Sequence, residues 1–150
     1  MSTLEIEAKV DASPDRVWKV VSDPRNLPRW DRRVAAVRGV PPTGLAPGTE
    51  YVTEMRFMGV HTAVRAKVLD MAPPRYARIR LSGLLDATVE TWVEPVDGEG
   101  SRSVLRHRID YVFPGGPLGS FAARAVNLLG VQALLRRGVE SQKRQAEAVR

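Results

Sequence analysis

The stretch Ala12–Trp30, ASPDRVWKVVSDPRNLPRW, decides how this chain is laid out. Ser13 offers a hydroxyl for a helix N-cap. Pro14 suits the first helical position, where no amide donor is needed, and Asp15 sets a negative charge beside the positive end of the helix dipole. Val17, Val20 and Val21, with Trp18 beside them, make one short apolar face. A residue before proline avoids the helical region, so the helix is predicted to stop at Asp23-Pro24. The remainder, held by Pro24 and Pro28, is expected to form a second short helical turn. The prolines bend the chain across the open end of whatever sheet follows, with Leu27 and Trp30 at the rim and Arg25 and Arg29 mostly toward solvent. Two readings of Trp30 stay open: wall and gate of a cavity, or filler of a core.

Working outward, Leu4, Ile6, Ala8 and Val10 alternate with Thr3, Glu5, Glu7 and Lys9, the period of a half-buried strand. After the helices come several alternating runs separated by Gly- and Pro-rich turns. RRVAAVRGV is followed by the loop PTGLAPGT. In EYVTEMRFM, Tyr51, Thr53, Met55 and Phe57 share one face. HTAVRAKVLDM places Thr62, Val64, Ala66 and Val68 together, YARIRL places Ala77, Ile79 and Leu81, and ATVETWVEP places Ala87, Val89, Thr91 and Val93. SVLRHRIDYVF places Leu105, His107, Ile109, Tyr111 and Phe113 on one face. This spacing predicts an antiparallel meander. PGGP then breaks the last strand, and Leu118, Phe121, Ala125, Leu128, Gln132, Leu135 and Val139 mark a long helix from about Leu118 to near the C-terminus. About 30 helical residues reach roughly 45 Å, so this helix must lie across the sheet. The class is therefore α+β, with a curved sheet of about seven strands wrapped round a long C-terminal helix and two short helices after strand 1. A strongly twisted sheet leaves a gap beneath such a helix.

The 150 residues suit one domain spanning 1–150, and 43% hydrophobic with 27% charged residues is ordinary globular composition. There is no cysteine, which removes disulfides, thiolate metal sites and cysteine nucleophiles. No apolar run is long enough to span a bilayer, and the N-terminus lacks the pattern of a secretory signal, so a cytoplasmic protein is expected. With two histidines, no cysteine and carboxylates mostly on outer faces, no metal is expected. No cofactor is expected either, because no Gly-rich loop joins a strand to a helix in phosphate-binding form.

The order of elements resembles the helix-grip fold of the START/Bet v 1-like (SRPBCC) superfamily, and within it the bacterial polyketide cyclase/dehydrase and lipid-transport group. The matching pieces are ASPDRVWKVVSDPRNLPRW, PGTEY, VLDMAPPR, WVEPVDGEGSRSVLRHRIDY and the final helix, together covering nearly the whole chain. The resemblance implies an apolar ligand held between sheet and helix. Some members are aromatase/cyclases acting on polyketide chains, and others are carriers or sensors, so the resemblance does not imply catalysis.

The inward faces of the strands supply candidate residues independently. His107, between Leu105 and Ile109, has an ordinary pKa of about 6.5 and suits general acid or base work. Its other reading is a core histidine bonded to Gln132 or Thr91. Tyr51 is the second candidate for moving a proton. Tyr51 and Tyr111 either present their hydroxyls to a ligand or simply pack in the core. Trp30, Met55, Phe57, Thr91, Tyr111, Phe121, Ala125, Leu128 and Gln132 are the expected ligand-binding residues.

The formal charge of +6 raises the prospect of anionic partners. The bases are nearly all arginine and are interleaved with acids, and stacking aromatics are few, so nucleic acid is not expected. Arg65, Lys67, Arg78, Arg80, Arg106 and Arg108 fall on the outer sheet face, with Glu90, Glu94, Asp110 and Trp92. That face is either solvated or docks an acidic partner such as an acyl carrier protein. A monomer or a homodimer is expected.

Overall fold

A computed structural model describes residues 2–30, 34–57, 59–83, 86–96, 100–112 and 131–148. The chain begins with strand β1 (Ser2–Val10), followed by helix α1 (Pro14–Val21), a 3-10 turn (Pro24–Asn26) and helix α2 (Leu27–Trp30). Strands β2 (Val34–Arg38), β3 (Glu50–Phe57), β4 (Val60–Ala72), β5 (Tyr76–Ser82), β6 (Asp86–Pro95) and β7 (Ser103–Val112) follow, and the last described element is helix α3 (Val131–Ala148). The seven strands form one antiparallel sheet in the order β1-β7-β6-β5-β4-β3-β2. Strands β2 to β7 are the expected meander, and β1 joins beside β7, so the chain closes one edge with its first strand. The expected start of the long helix near Leu118 lies outside the described residues.

The caps follow the sequence. Ser13 Oγ accepts from the Arg16 amide at 3.3 Å, and Pro14 opens α1. Asp23 ends that segment and caps the next: its Oδ1 accepts from the Arg25 amide at 3.0 Å, with the Arg25 guanidinium bonded to the same carboxylate. Asn26 then ties three pieces together. Its Nδ2 donates to Val20 O at the end of α1, and its Oδ1 accepts from Gln145 Nε2 of α3. The proline-rich stretch is thus pinned to both neighbouring helices.

Among the described residues the largest buried cluster joins Val10, Ala12, Val17, Trp18, Val20, Ala77, Val93, Leu105, Val139 and Ala146. It seats α1 and α3 on the β1–β7–β6 side of the sheet. Ser103, fully buried, donates from Oγ to Ala12 O at 2.7 Å, so this buried hydroxyl has a partner. The Asp11 amide donates to Glu147 Oε2, fixing the end of α3 to the turn after β1. A second cluster gathers Tyr51, Ala66 and Val68, and a third gathers Ala87, Ile109 and Tyr111. Between the first two the sheet is not filled.

Two bulges reset the alternation. The register of β4 against β5 shifts between Val68 and Asp70. Strict period two from Val68 would turn Asp70 inward; the bulge turns Met71 inward instead and leaves Asp70 outside, paired with Arg78. A second shift, between Val34 and Ala36, leaves Val34 buried at the start of β2.

On the outer face, Tyr76, Trp92 and Arg106 form a cross-strand row. The Arg106 guanidinium lies 4.4 Å from the Trp92 ring centroid and Tyr76 packs tilted against the same ring, as the sequence suggested for Trp92. Glu90 accepts from the Tyr76 hydroxyl, and Arg108 pairs with Asp110 at 3.3 Å.

Candidate functional site

The unfilled space is a cavity of about 270 Å³ beneath α3. Strand β3 contributes Tyr51, Thr53 and Met55, strand β4 Val64 and Met71, strand β5 Ala77, Ile79 and Leu81, and strand β6 Val89 and Thr91. Helix α1 and the turn after it supply Trp18, Val21, Ser22 and Pro24, and α2 adds Leu27. His107 and Gln142 complete the far wall. No charged side chain lines the cavity among the described residues, which suits an uncharged guest, since an unpaired charge buried here would be costly.

The polar groups are concentrated at two places. Thr91 and His107 face each other across β6 and β7, with Thr91 Oγ1 2.8 Å from His107 Nδ1. On the other side of the ring, His107 Nε2 lies 2.9 Å from Gln142 Oε1 of α3. With the Gln142 oxygen accepting, Nε2 carries the proton and Nδ1 accepts from the Thr91 hydroxyl. Both ring nitrogens are engaged, so His107 acts on a guest only if one partner lets go. Burial pushes its pKa below the ordinary value, and the Gln142 hydrogen bond opposes that shift only in part. The imidazole is neutral at pH 7.

This depression gives a pH dependence. Above the unfolded chain's value of about 6.5 both states are neutral and stability is complete. As pH falls below it, the unfolded chain takes up a proton that the folded chain resists, and stability declines until the folded value is reached. The expected slope is up to about 1.4 kcal/mol per pH unit. Unfolding titrations of the parent protein and His107→Gln between pH 7.5 and 5 check this: the parent loses stability across that range and the variant loses distinctly less.

Tyr51, with Thr53 two residues along β3, is the other polar element, and Ser22 adds a hydroxyl after α1. The Tyr51 side chain is 7% exposed and its hydroxyl has no hydrogen-bond partner among the described residues. Burial pushes its pKa up to about 12, so the phenol stays protonated and is a hydrogen-bond donor on the wall of a mostly apolar cavity.

Of the residues expected from sequence, Tyr51, Met55, Thr91 and His107 line this cavity. Tyr111 packs with Ala87 and Ile109 and is not among the cavity's described lining. Phe121, Ala125 and Leu128 lie outside the described residues, as do the side chains of Trp30, Phe57 and Gln132. The partner of His107 on the helix is Gln142, in place of the Gln132 named from sequence; Thr91 bonds as named. Trp18, Met71 and Gln142 were missed. For Gln142 the signal existed: continuing the stripe from Leu135 and Val139 by three- and four-residue steps reaches Gln142 and Ala146, both buried. Among the described residues no cluster of three His, Asp or Glu side chains is placed to hold a metal.

A family model described as polyketide cyclase / dehydrase and lipid transport matches residues 1–147. An uncharacterised protein of Mycobacterium tuberculosis is 34% identical over 128 residues, covering 84% of this chain and 89% of that protein. Among solved structures, the Zhui aromatase/cyclase from a Streptomyces species superposes with a TM-score of 0.80 at 16% identity, covering 97% of this chain and 93% of that one. Norcoclaurine synthase from Thalictrum flavum superposes at 0.70 with 16% identity, covering 99% and 88%. A START superfamily protein from Mycobacterium smegmatis gives 0.67 with 15% identity, covering 95% and 97%. At these identities the structural likenesses speak for the helix-grip fold alone.

Proposed function

Because the chain belongs to the polyketide cyclase/dehydrase and lipid transport family, we propose that its cavity receives a small, uncharged hydrophobic or aromatic ligand of polyketide-like chemistry. The observation that carries this reading is the apolar cavity with a buried, unpartnered Tyr51 phenol on its wall. Such sites are mostly apolar, with a few polar groups that orient the guest. Here Tyr51 donates to a carbonyl or hydroxyl oxygen while Met55, Ile79 and Val89 enclose the apolar body. Thr91 and His107 form the opposite polar corner. Trp30, Phe57, Tyr111, Phe121, Ala125, Leu128 and Gln132 belong to the proposed ligand-binding set, with Trp30 as the gate.

Two naphthalenes test the Tyr51 assignment. In calorimetric or Trp-fluorescence titrations, 2-acetylnaphthalene, which has a carbonyl acceptor, is expected to bind five- to tenfold tighter relative to 2-ethylnaphthalene, a gain of about 1 kcal/mol. Tyr51→Phe is expected to erase that preference while leaving the ethyl compound's affinity within twofold. Equal preference in both proteins refutes the phenol's role, and absence of saturable binding by either compound refutes the cavity reading.

A second reading, aromatase/cyclase or dehydrase chemistry, is supported by the same phenol and by the likeness to the Zhui aromatase/cyclase fold. In it the cavity holds a flexible poly-ketone in one reactive conformer. Tyr51 hydrogen-bonds the carbonyl oxygen where negative charge develops, and His107, freed from Thr91, takes a proton from the adjacent carbon. A cytoplasmic location and delivery by an acyl carrier protein belong to this reading. In a cyclisation assay, unchanged turnover in both Tyr51→Phe and His107→Ala removes both residues from the chemistry, and absence of turnover in the parent eliminates this reading, leaving a non-enzymatic carrier or sensor of a lipid, quinone or similar hydrophobe.

A further inference from the structure

The outer face of the sheet carries a second concavity, on the side away from the cavity. Its volume is about 580 Å³, and it is lined by Arg38, Arg65, Lys67 and Arg80, with Glu50 the one acidic side chain in the described lining. The register shows how these are placed. Arg38, Val52, Arg65 and Ser82 form one cross-strand row over β2, β3, β4 and β5. Glu50, Lys67 and Arg80 form the next row. Small Ser82 and Val52 leave the hollow between the longer side chains.

The charge pattern here breaks the rule of the rest of this face. Toward β6, β7 and β1 no like charges face each other in the described rows, and one row alternates in sign throughout: Arg78 faces Glu90, which faces Arg108, which faces Glu5. In the groove, Lys67 directly faces Arg80, a like-charge pair that destabilises the sheet by itself. Arg38 is paired with Glu54 at 3.2 Å, while Arg65, Lys67 and Arg80 have no ion pair among the described residues.

We infer that this groove on β2–β5 docks the acidic face of a helix from a partner protein. Neighbouring strands are about 4.8 Å apart, so the cations span roughly 14 Å from β2 to β5: Lys67 and Arg80 stand about 5 Å apart, Arg65 lies about 7 Å from Lys67 along β4, and Arg38 lies two strand spacings from Arg65. Carboxylates three and four residues apart on a helix recur at about 5–6 Å. Such an array matches the groove, whereas a single small anion reaches only part of it. A concave hollow fits a convex helix better than a flat membrane, and the one aromatic in the described lining, Tyr51, is buried and offers no exposed platform of the kind that single-stranded nucleic acid stacks on. A helix seated there leaves the opposite, cavity-bearing face clear, so the inference is independent of the ligand reading.

The test is fluorescence anisotropy with a labelled, 18-residue glutamate-rich helical peptide at 50 mM salt. The triple variant Arg65→Gln/Lys67→Gln/Arg80→Gln is expected to bind it at least tenfold more weakly. The parent's affinity is expected to fall steeply by 300 mM salt. A control, Lys9→Gln/Lys19→Gln/Arg137→Gln, removes the same charge from exposed sites elsewhere and is expected to bind within threefold of the parent. Equal weakening in both triple variants overturns the inference, because net charge alone then explains the binding. So does stronger retention on phosphatidylglycerol vesicles than on the peptide, or competition by millimolar inorganic phosphate at constant ionic strength. Thermal melts establish that both variants fold; removal of the Lys67–Arg80 repulsion is expected to leave the groove variant at least as stable as the parent.

Discussion

Leu105→Ala is expected to lower the free energy of unfolding by about 3–4 kcal/mol. Leu105 is 0% exposed, near the start of β7, opposite Ala8 of β1 and Val93 of β6. Its side chain belongs to the cluster that joins β6 and β7 to α1 and, through Val139 and Ala146, to α3. Three apolar groups leave the core on truncation, and the surrounding sheet cannot collapse to fill the space because its backbone is fixed by ladders on both sides. Chemical denaturation measures the effect as a lower midpoint with little change in slope. Val112→Ala, on the same strand but 45% exposed, is the control, with an expected loss within about 0.5 kcal/mol. A small loss at Leu105 would mean that this cluster does not hold helices and sheet together.

The second large effect concerns occupancy. Val89→Trp is expected to weaken binding of a neutral aromatic probe about a hundredfold, or about 2.8 kcal/mol, while leaving the protein folded. Val89 faces Ile79 and Ile109 across its neighbouring strands and lines the cavity wall. An indole directed into about 270 Å³ takes up a large part of the space a ligand needs. Filling an existing void avoids most of the strain that overpacking a closed core brings. The thermal readout follows from linkage: probe at a hundred times its dissociation constant stabilises the parent by about 2.7 kcal/mol, and this stabilisation should nearly vanish in the variant. If Val89→Trp still shows the full ligand-induced shift, the probe sits elsewhere.

The architecture was legible because it rests on short-range chemistry. Ser13-Pro14 marks the start of α1 and Asp23-Pro24 its end, and the structure has both, with Asp23 capping the next turn as well. The strands announce themselves by period two, with turns where Gly and Pro cluster. What was not legible depends on events that periodicity ignores. The bulge at Leu69 moves Met71 into the cavity, and nothing in VLDM forces it. The identity of the His107 partner depends on how α3 is placed along the sheet; stopping its stripe at Val139 hid Gln142. Trp18 looked like one side of a short helix face, and only the packing of α1 against the sheet shows that its ring lines the cavity as well as the core. For Tyr51, alternation gave the inward face, but the missing partner of its hydroxyl is a three-dimensional fact.

We propose the space beneath α3 as the binding site of an uncharged hydrophobe. The most direct measurement is a titration with N-phenyl-1-naphthylamine followed by backbone amide and indole chemical shifts in solution. Saturable one-to-one binding is expected, with the largest shifts at Trp18, Thr53, Val89, Thr91 and His107 and almost none at Trp92 on the outer face. Shifts confined to the outer face, or no saturable change at all, would contradict it.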